Sequence, residues 1–310
     1  MKRRLLLLAA VMLCGWIPAF AAAAEKSEVS LFAYFTEQQG SQGDGLHLAS
    51  SPDGLEWKEI HRDRLYFAPM LGMFRDPFIM QGPDGTFHMV WTSGKKEIGY
   101  ASSRDLLQWW DEKYIRVMAH EWKARNCWAP EIFYDETRRR FMIYWSTTIP
   151  GRFPETDKSG NKGLNHRIYY TVTSDFNSFS PTRLLVDPGF NCIDADIVKA
   201  GNDYLMFLKN ETLKPVKKFI VVLRSKDPEG PWGPASDPIT DSWSEGPSAI
   251  KINNQWFLYF DLYAQKKYGL VVSQDLSPWQ NLGSRLKMPR PARHGCAFRI
   301  SPELFAELRK

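Results

Sequence analysis

Helical periodicity is almost missing from the 310 residues, and only the tail Pro302 to Lys310 has the pattern of a short helix. This excludes the helical and the alternating α/β fold classes and leaves strands joined by turns. Beyond the first two dozen residues no apolar run is long enough to cross a bilayer as a helix. Basic clusters are also lacking: Arg138-Arg139-Arg140 sits between two strands and reads as a solvated hairpin turn, so no nucleic-acid partner is expected. No glycine-rich loop lies between a strand and a helix, so no nucleotide or redox cofactor is expected. Cysteine is scarce, with four residues and no CxxC spacing, which argues against a thiolate metal site.

The amino-terminal stretch has its own logic. Lys2-Arg3-Arg4 precedes an apolar run from Leu5 to Phe20 and an alanine-rich segment ending at Ala24, the pattern of a signal peptide over residues 1–24. The expected location is secreted or periplasmic, with residues 25–310 as one domain. Removing the leader takes away three positive charges and lowers the formal net charge from +5 to +2. It also leaves Cys127, Cys192 and Cys296, either as one disulfide plus a free thiol or as three buried thiols. Aromatic residues make up 14% of the chain, twelve of them Trp, more than a core needs and suited to stacking on sugar rings.

A repeat organises the rest. Ser-x-Asp recurs at Ser51 to Asp53, Ser103 to Asp105, Ser225 to Asp227 and Ser273 to Asp275, each followed by Trp57, Trp109, Trp232 or Trp279. Thr173-Ser174-Asp175 with Phe179 is a looser fifth copy, and the spacing is about fifty residues except for one gap of 70. Each marker closes the third strand of a four-stranded antiparallel unit, so the fold class is all-β, a single five-bladed β-propeller. The first unit, Val29 to Ile60, lacks an inner strand, and Cys296 to Ile300 is a lone strand at the other end. The C-terminal strand is therefore expected to complete the N-terminal blade.

Inner strands line the axis of a propeller, and theirs start near Asp76, Glu131, Asp194, Glu245 and His294. Arg75-Asp76-Pro77, Ile193-Asp194-Ala195 and Ser244-Glu245-Gly246-Pro247 each put a carboxylate before an apolar strand. Carboxylates from different blades facing one axis suit inverting glycoside hydrolysis, in which a base activates water and an acid protonates the leaving oxygen. A third carboxylate would hold the acid protonated by like-charge repulsion.

With Trp128-Ala129-Pro130-Glu131 and Arg293-His294-Gly295, these motifs occur in the order and spacing that resembles glycoside hydrolase family 43, over essentially the whole mature chain. The resemblance implies Asp76 as general base, Asp194 as the residue that tunes and orients the acid, and Glu245 as general acid. It also implies His294 near the pocket floor, a candidate to hold a calcium or sodium ion through water, with no cofactor required. Ala195-Asp196 replaces the frequent proline after Asp194, so Asp196 competes for its role, and strand parity favours Asp194. Arg-Asp-Pro also occurs in fructan-cleaving propellers, whose other motifs are absent here.

Phe74, Arg75, Trp128, Asn191, Arg293 and His294 are the candidate substrate contacts, Trp128 as a sugar platform or as packing. Glu131 reads as structural, and Glu211 and Lys214 are further candidates. The loop Pro150 to Asn165 accounts for the long gap and is either a substrate-selecting element beside the site or a surface insertion. The expected function is removal of a terminal sugar, α-L-arabinofuranose, from an oligo- or polysaccharide, by a monomer. β-Xylosidase and β-galactofuranosidase are the alternatives within the class, and a non-catalytic glycan-binding propeller is the alternative outside it.

Overall fold

The computed structural model describes residues 28–37, 40, 42–62, 64–94 and 96–310, so the leader lies outside the described residues. Its strands run in sequence through five sheets. The first holds β1 (Val29–Phe35), β2 (His47–Ser51) and β3 (Lys58–Glu59). The second holds β4 (Arg75–Gln81), β5 (Phe87–Thr92), β6 (Ile98–Ser103) and β7 (Trp109–Ile115). The third holds β8 (Trp128–Asp135), β9 (Arg140–Thr148), β10 (His166–Thr173) and β11 (Arg183–Val186). The fourth has β12 (Cys192–Ala200), β13 (Asp203–Asn210) and β14 (Ile220–Ser225), and the fifth has β15 (Glu245–Ile252), β16 (Gln255–Leu262), β17 (Lys267–Ser273) and β18 (Gln280–Asn281). The last strand, β19 (Arg293–Ile300), pairs antiparallel with β1, from Val29 opposite Ile300 to Phe35 opposite Arg293. It is the inner strand of the first blade, so the ring closes as the sequence implies. A single helix, α1 (Pro302–Leu308), follows it, and no helix among the described residues could cross a membrane.

The recurring Ser/Thr-x-Asp is a turn device. After β6, the Asp105 carboxylate accepts the backbone N–H groups of Leu107 and Gln108, while Ser103 Oγ accepts those of Asp105 and Leu106. Asp53 and Asp175 accept the corresponding pairs after β2 and β10. Short side-chain acceptors thus satisfy the donors of each tight turn. The fourth blade departs from expectation, because its Trp232 edge is not a strand. The segment follows β14 through Gly233, Ser236 and Ile239, whose N–H groups reach Arg224, Val222 and Ile220. Pro231, Pro234 and Pro238 remove the donors a regular ladder needs.

The core is divided into five apolar clusters, each between two neighbouring blades. Middle strands are covered on both faces, as in β5 and β6, where every residue is buried. The inner strands have a free edge along the axis, and side chains of the preceding blade satisfy it. Ile79 N–H donates to Cys296 Sγ, Ile197 N–H to the Tyr144 hydroxyl, Ala249 N–H to Asp196 Oδ2, and Ala297 N–H to Ser248 Oγ. The three cysteines are buried free thiols, which decides between the two options left by their number.

Closure also requires Gly295, since a Cβ there would sit 2.0 Å from the Ala33 carbonyl oxygen in the β1–β19 ladder. Gly295→Ala should therefore destabilise the protein by about 1–3 kcal/mol in denaturant unfolding, the range of overpacking. An unchanged midpoint would show that this strand pair is not tight.

Candidate active site

Four inner strands share one local irregularity. Their pairing with the second strand slips between Arg75 and Phe78, Trp128 and Glu131, Ile193 and Ala195, and Glu245 and Ser248. In each bulge one residue takes a left-handed backbone, with φ of 51° at Asp76, 45° at Ala129, 55° at Asp194 and 55° at Gly246. Asp tolerates this region better than most residues, and the extra residue turns the strand start toward the axis. Asp76 and Asp194 thus occupy equivalent places in the second and fourth blades. Glu245 stands one position earlier, opposite Asp261, and has the longer side chain.

The bulged ends open into a cavity of about 630 Å³ lined by Arg75, Asp76, Trp128, Asp194, Glu245 and His294, together with Thr92, Lys209, Glu211 and Lys162. A larger cavity of about 950 Å³ lies at the opposite ends of the strands, around Ser30, Ser50, Asn253 and Arg299. It gathers no set of carboxylates, whereas the first does.

Asp76 Oδ2 accepts the Thr92 hydroxyl at 2.7 Å, and its Oδ1 lies 3.3 Å from His294 Nδ1. Burial alone would raise this carboxyl, but the His294 charge and hydrogen bond, with Arg75 and Thr92, bring it down to about 2. His294 responds in the opposite sense: burial would lower it, yet Asp76, Asp194 and Glu245 push it up to about 9. The pair is therefore carboxylate and imidazolium near neutrality. Asp194 is raised to about 6 by burial, with Glu245 and Asp76 adding to the rise against His294 and Lys209. Its Oδ2 accepts Gly246 N–H at 3.2 Å, which sets it beside the Glu245 peptide.

Glu245 has cations on both sides. Lys209 Nζ is 2.9 Å from Oε2, and Arg293 is 3.7 Å from Oε1. Lys209 is buried and also pairs with Glu211 at 2.7 Å; burial would lower its ammonium, but Glu245 and Glu211 raise it. Arg293 donates from Nε to Asp261 at 2.8 Å and pairs with Glu37 at 2.5 Å, and Glu37 also holds Arg75 at 3.0 Å.

The cavity thus brings together Asp76, Asp194, Glu245, Arg75, Trp128 and His294 of the residues singled out by sequence, with Arg293 flanking it. Phe74 and Asn191 are corrections. Phe74 is buried between the first two blades, its ring centroid 5.8 Å from Phe67 and 5.6 Å from Trp91, because its side chain packs into the apolar cluster there. Asn191 is fully buried, accepting His166 N–H at 2.7 Å and donating to the Leu164 carbonyl at 3.1 Å. Lys214 does not line the cavity either, whereas Glu211 does. Glu131 and Asp196 lie deeper.

No group of three or more metal-ligating side chains assembles among the described residues. His294 Nδ1 faces Asp76 Oδ1 at 3.3 Å. The loop after β9 is anchored at the cavity. Buried Arg167 pairs with Asp187 at 2.5 Å and donates to Thr156 at 2.9 Å, and the loop's Lys162 lines the pocket.

Sequence reasoning missed Thr92, Lys209, Glu37 and Asp261. A signal for three of them exists. The residue of the second strand facing each bulge is polar, namely Thr92, Ser146, Lys209 and Asp261, each ending an apolar run. Each reaches the next blade: Thr92 accepts Ala129 N–H, Ser146 accepts Asp194 N–H, Lys209 holds Glu245, and Asp261 holds Arg293 and His294 N–H.

Below the cavity, Glu131 and Asp196 form a buried carboxyl pair. Tyr144 donates to Glu131 at 2.9 Å, and Asp196 accepts Ala249 N–H at 2.6 Å. Burial raises both, Asp196 to about 7 and Glu131 well above the usual range, where the Asp196 charge adds to the effect. A carboxyl with a raised folded-state pKa binds its proton more tightly when folded. Its contribution is full at low pH and is lost as pH rises through the folded value. Stability should thus fall from about pH 4 to 7, and Asp196→Asn, which supplies a permanent N–H donor to Glu131, should flatten that fall in thermal unfolding across pH. Parallel profiles for the two proteins would remove the shared proton from the account.

With fold and geometry established, relatives can be compared. Residues 25–303 match a family model described as "Probable glycosyl hydrolase domain", a group related to glycoside hydrolase family 43. The α-L-arabinofuranosidase of Bifidobacterium longum subsp. longum is 25% identical over 223 residues, 59% of this chain. The chain spans about a fifth of that relative, 21% of its length. The α-L-arabinofuranosidase of Lactobacillus brevis superposes with a TM-score of 0.52 at 17% identity, covering 70% of this chain and 74% of the other. The endo-arabinase of Bacteroides thetaiotaomicron gives 0.51 at 18% identity, covering 68% and 80%. At such identities the superpositions speak for the propeller fold alone. The family match covers nearly the whole chain, and the protein belongs to the family-43-related glycosyl hydrolases.

Proposed function

We propose that the protein hydrolyses glycosidic bonds with inversion and removes a terminal sugar, α-L-arabinofuranose, from plant-type glycans outside the cytoplasm. The observation that carries this reading is the convergence of Asp76, Asp194 and Glu245 from three blades on one cavity, with Asp76 held ionised at about 2. In this reading Asp76, fixed by Thr92 and His294, takes the proton of the attacking water. Glu245, which lines the same cavity from the fifth blade, protonates the leaving oxygen. Asp194, beside the Glu245 peptide, supplies the neighbouring negative charge that favours a protonated acid once substrate displaces Lys209 or Arg293. The choice of sugar is supported by the names of the B. longum and L. brevis relatives, and export by the pattern of residues 1–24.

Asp76→Asn and Glu245→Gln should each lower turnover by about 10² to 10⁴, with the fold retained. The measurement is hydrolysis of p-nitrophenyl α-L-arabinofuranoside, β-D-xyloside and β-D-galactofuranoside by wild type and each variant, with NMR of the first-formed anomer. The aryl leaving group should partly rescue Glu245→Gln, since it needs less protonation. Equal loss on aryl and natural glycosides would remove Glu245 from the acid's role. Release of xylose or galactofuranose alone would replace the sugar, and silence on the panel and on polysaccharides would favour a glycan-binding propeller.

Lys209→Met tests the cation beside the acid. Without the ammonium 2.9 Å from Oε2, Glu245 loses a group that positions it, so kcat/KM should fall about tenfold or more with the fold retained. An unchanged kcat/KM would separate Lys209 from the acid.

A further inference from the structure

Trp243 is an exception among the residues that precede the inner strands. Two positions before the residue that faces the second strand, the third and fourth blades have Asn126 and Asn191, both buried and hydrogen bonded into neighbouring loops. The second blade has Met73, which lines the cavity. In the fifth blade the same position holds Trp243, 39% exposed and with φ of 71°. A bulky residue in the left-handed region carries strain of about 1–3 kcal/mol and persists only where its surroundings enforce it. Here they do: Ser244 N–H donates to the Lys218 carbonyl at 2.9 Å, and Ser244 Oγ donates to the Asp241 carbonyl at 2.8 Å.

The strained backbone holds the indole against Tyr263, whose ring borders the Lys209–Glu245 pair. Trp243 meets Tyr263 in a T-shaped contact, with centroids 6.0 Å apart and planes at 69°. Tyr263 follows β16, and Lys209 Nζ lies 4.8 Å from its ring centroid and 2.9 Å from Glu245 Oε2. Trp243, Tyr263, Lys209 and Glu245 therefore form a continuous series from an exposed indole to the cavity lining. The other exposed large aromatics, Trp110 and Trp122, belong to the outer strand of the second blade and to the loop after it. A core role would have buried the indole, as it buries Trp91 and Trp145.

We infer that Trp243, braced by Tyr263, is a stacking platform for the sugar ring on the leaving-group side of the scissile bond, so that the protein selects oligo- and polysaccharides over simple glycosides. The inference rests on the reading of Glu245 as the acid: the leaving oxygen sits at the acid, so the ring it belongs to lies toward Trp243. The apolar C–H face of a sugar gives an aromatic plane buried area with little loss of side-chain entropy.

The test compares a substrate that has a leaving-group ring with one that has none. Arabinan and arabinoxylan are the first kind, and α-L-arabinofuranosyl, β-D-xylosyl and β-D-galactofuranosyl fluorides are the second. The ratio of kcat/KM on polysaccharide to kcat/KM on the accepted fluoride should fall about tenfold or more in Trp243→Ala, mostly through KM. Trp243→Phe should restore most of it. Trp243→Gly, suited to the positive φ, should match Trp243→Ala and guards against a folding defect. A ratio unchanged in both small variants, or lost equally with Phe, would overturn the platform while leaving the hydrolase reading intact. A wild type silent on every fluoride and both polysaccharides would overturn the hydrolase reading and the platform with it.

Discussion

The free edge of the inner strand is the constraint on which the molecule depends. A blade pairs its strands internally and leaves one row of backbone donors and acceptors at the axis, where neither water nor another strand covers them fully. The chain resolves this with side chains lent by the neighbouring blade, at two levels. At the deeper level Cys296, Tyr144, Asp196 and Ser248 accept inner-strand N–H groups. At the upper level, where the strands bulge, Thr92, Ser146, Lys209 and Asp261 reach across. Blade packing and site construction are therefore one set of contacts.

That sharing explains why the site is charged yet ordered. Three carboxylates in a cavity would repel one another and disorder the strand starts. His294 and Arg293 from the first blade and Lys209 from the fourth offset that repulsion. Glu37 links Arg75 to Arg293 across the point where the chain's two ends meet, so ring closure and site assembly are coupled. The anchored loop that brings Lys162 to the cavity depends on one fully buried arginine, Arg167, rather than on regular structure.

Much of this was legible in the sequence because repeats encode it locally. The Ser-x-Asp turns, the apolar strands and the carboxylates before them are short-range patterns, and they gave the blade count, the closing strand and the identities of Asp76, Asp194 and Glu245. The errors came where the outcome depends on direction rather than residue type. Phe74 and Asn191 adjoin the site in sequence but point into blade junctions. The Trp232 edge has strand-like aromatics, but three prolines deny it a ladder.

By itself the sequence determined a ring of five sheets, which residues start the inner strands and which end the second ones, since each rests on local pattern and turn chemistry. Only the tertiary structure decided that Asp76 is held ionised while burial raises Asp194 to about 6, that Lys209 meets Glu245, and that Trp243 is exposed. Those properties arise from groups far apart in the chain brought within a few ångströms, where burial and Coulomb interaction depend on distance and direction, neither of which is written in a linear pattern.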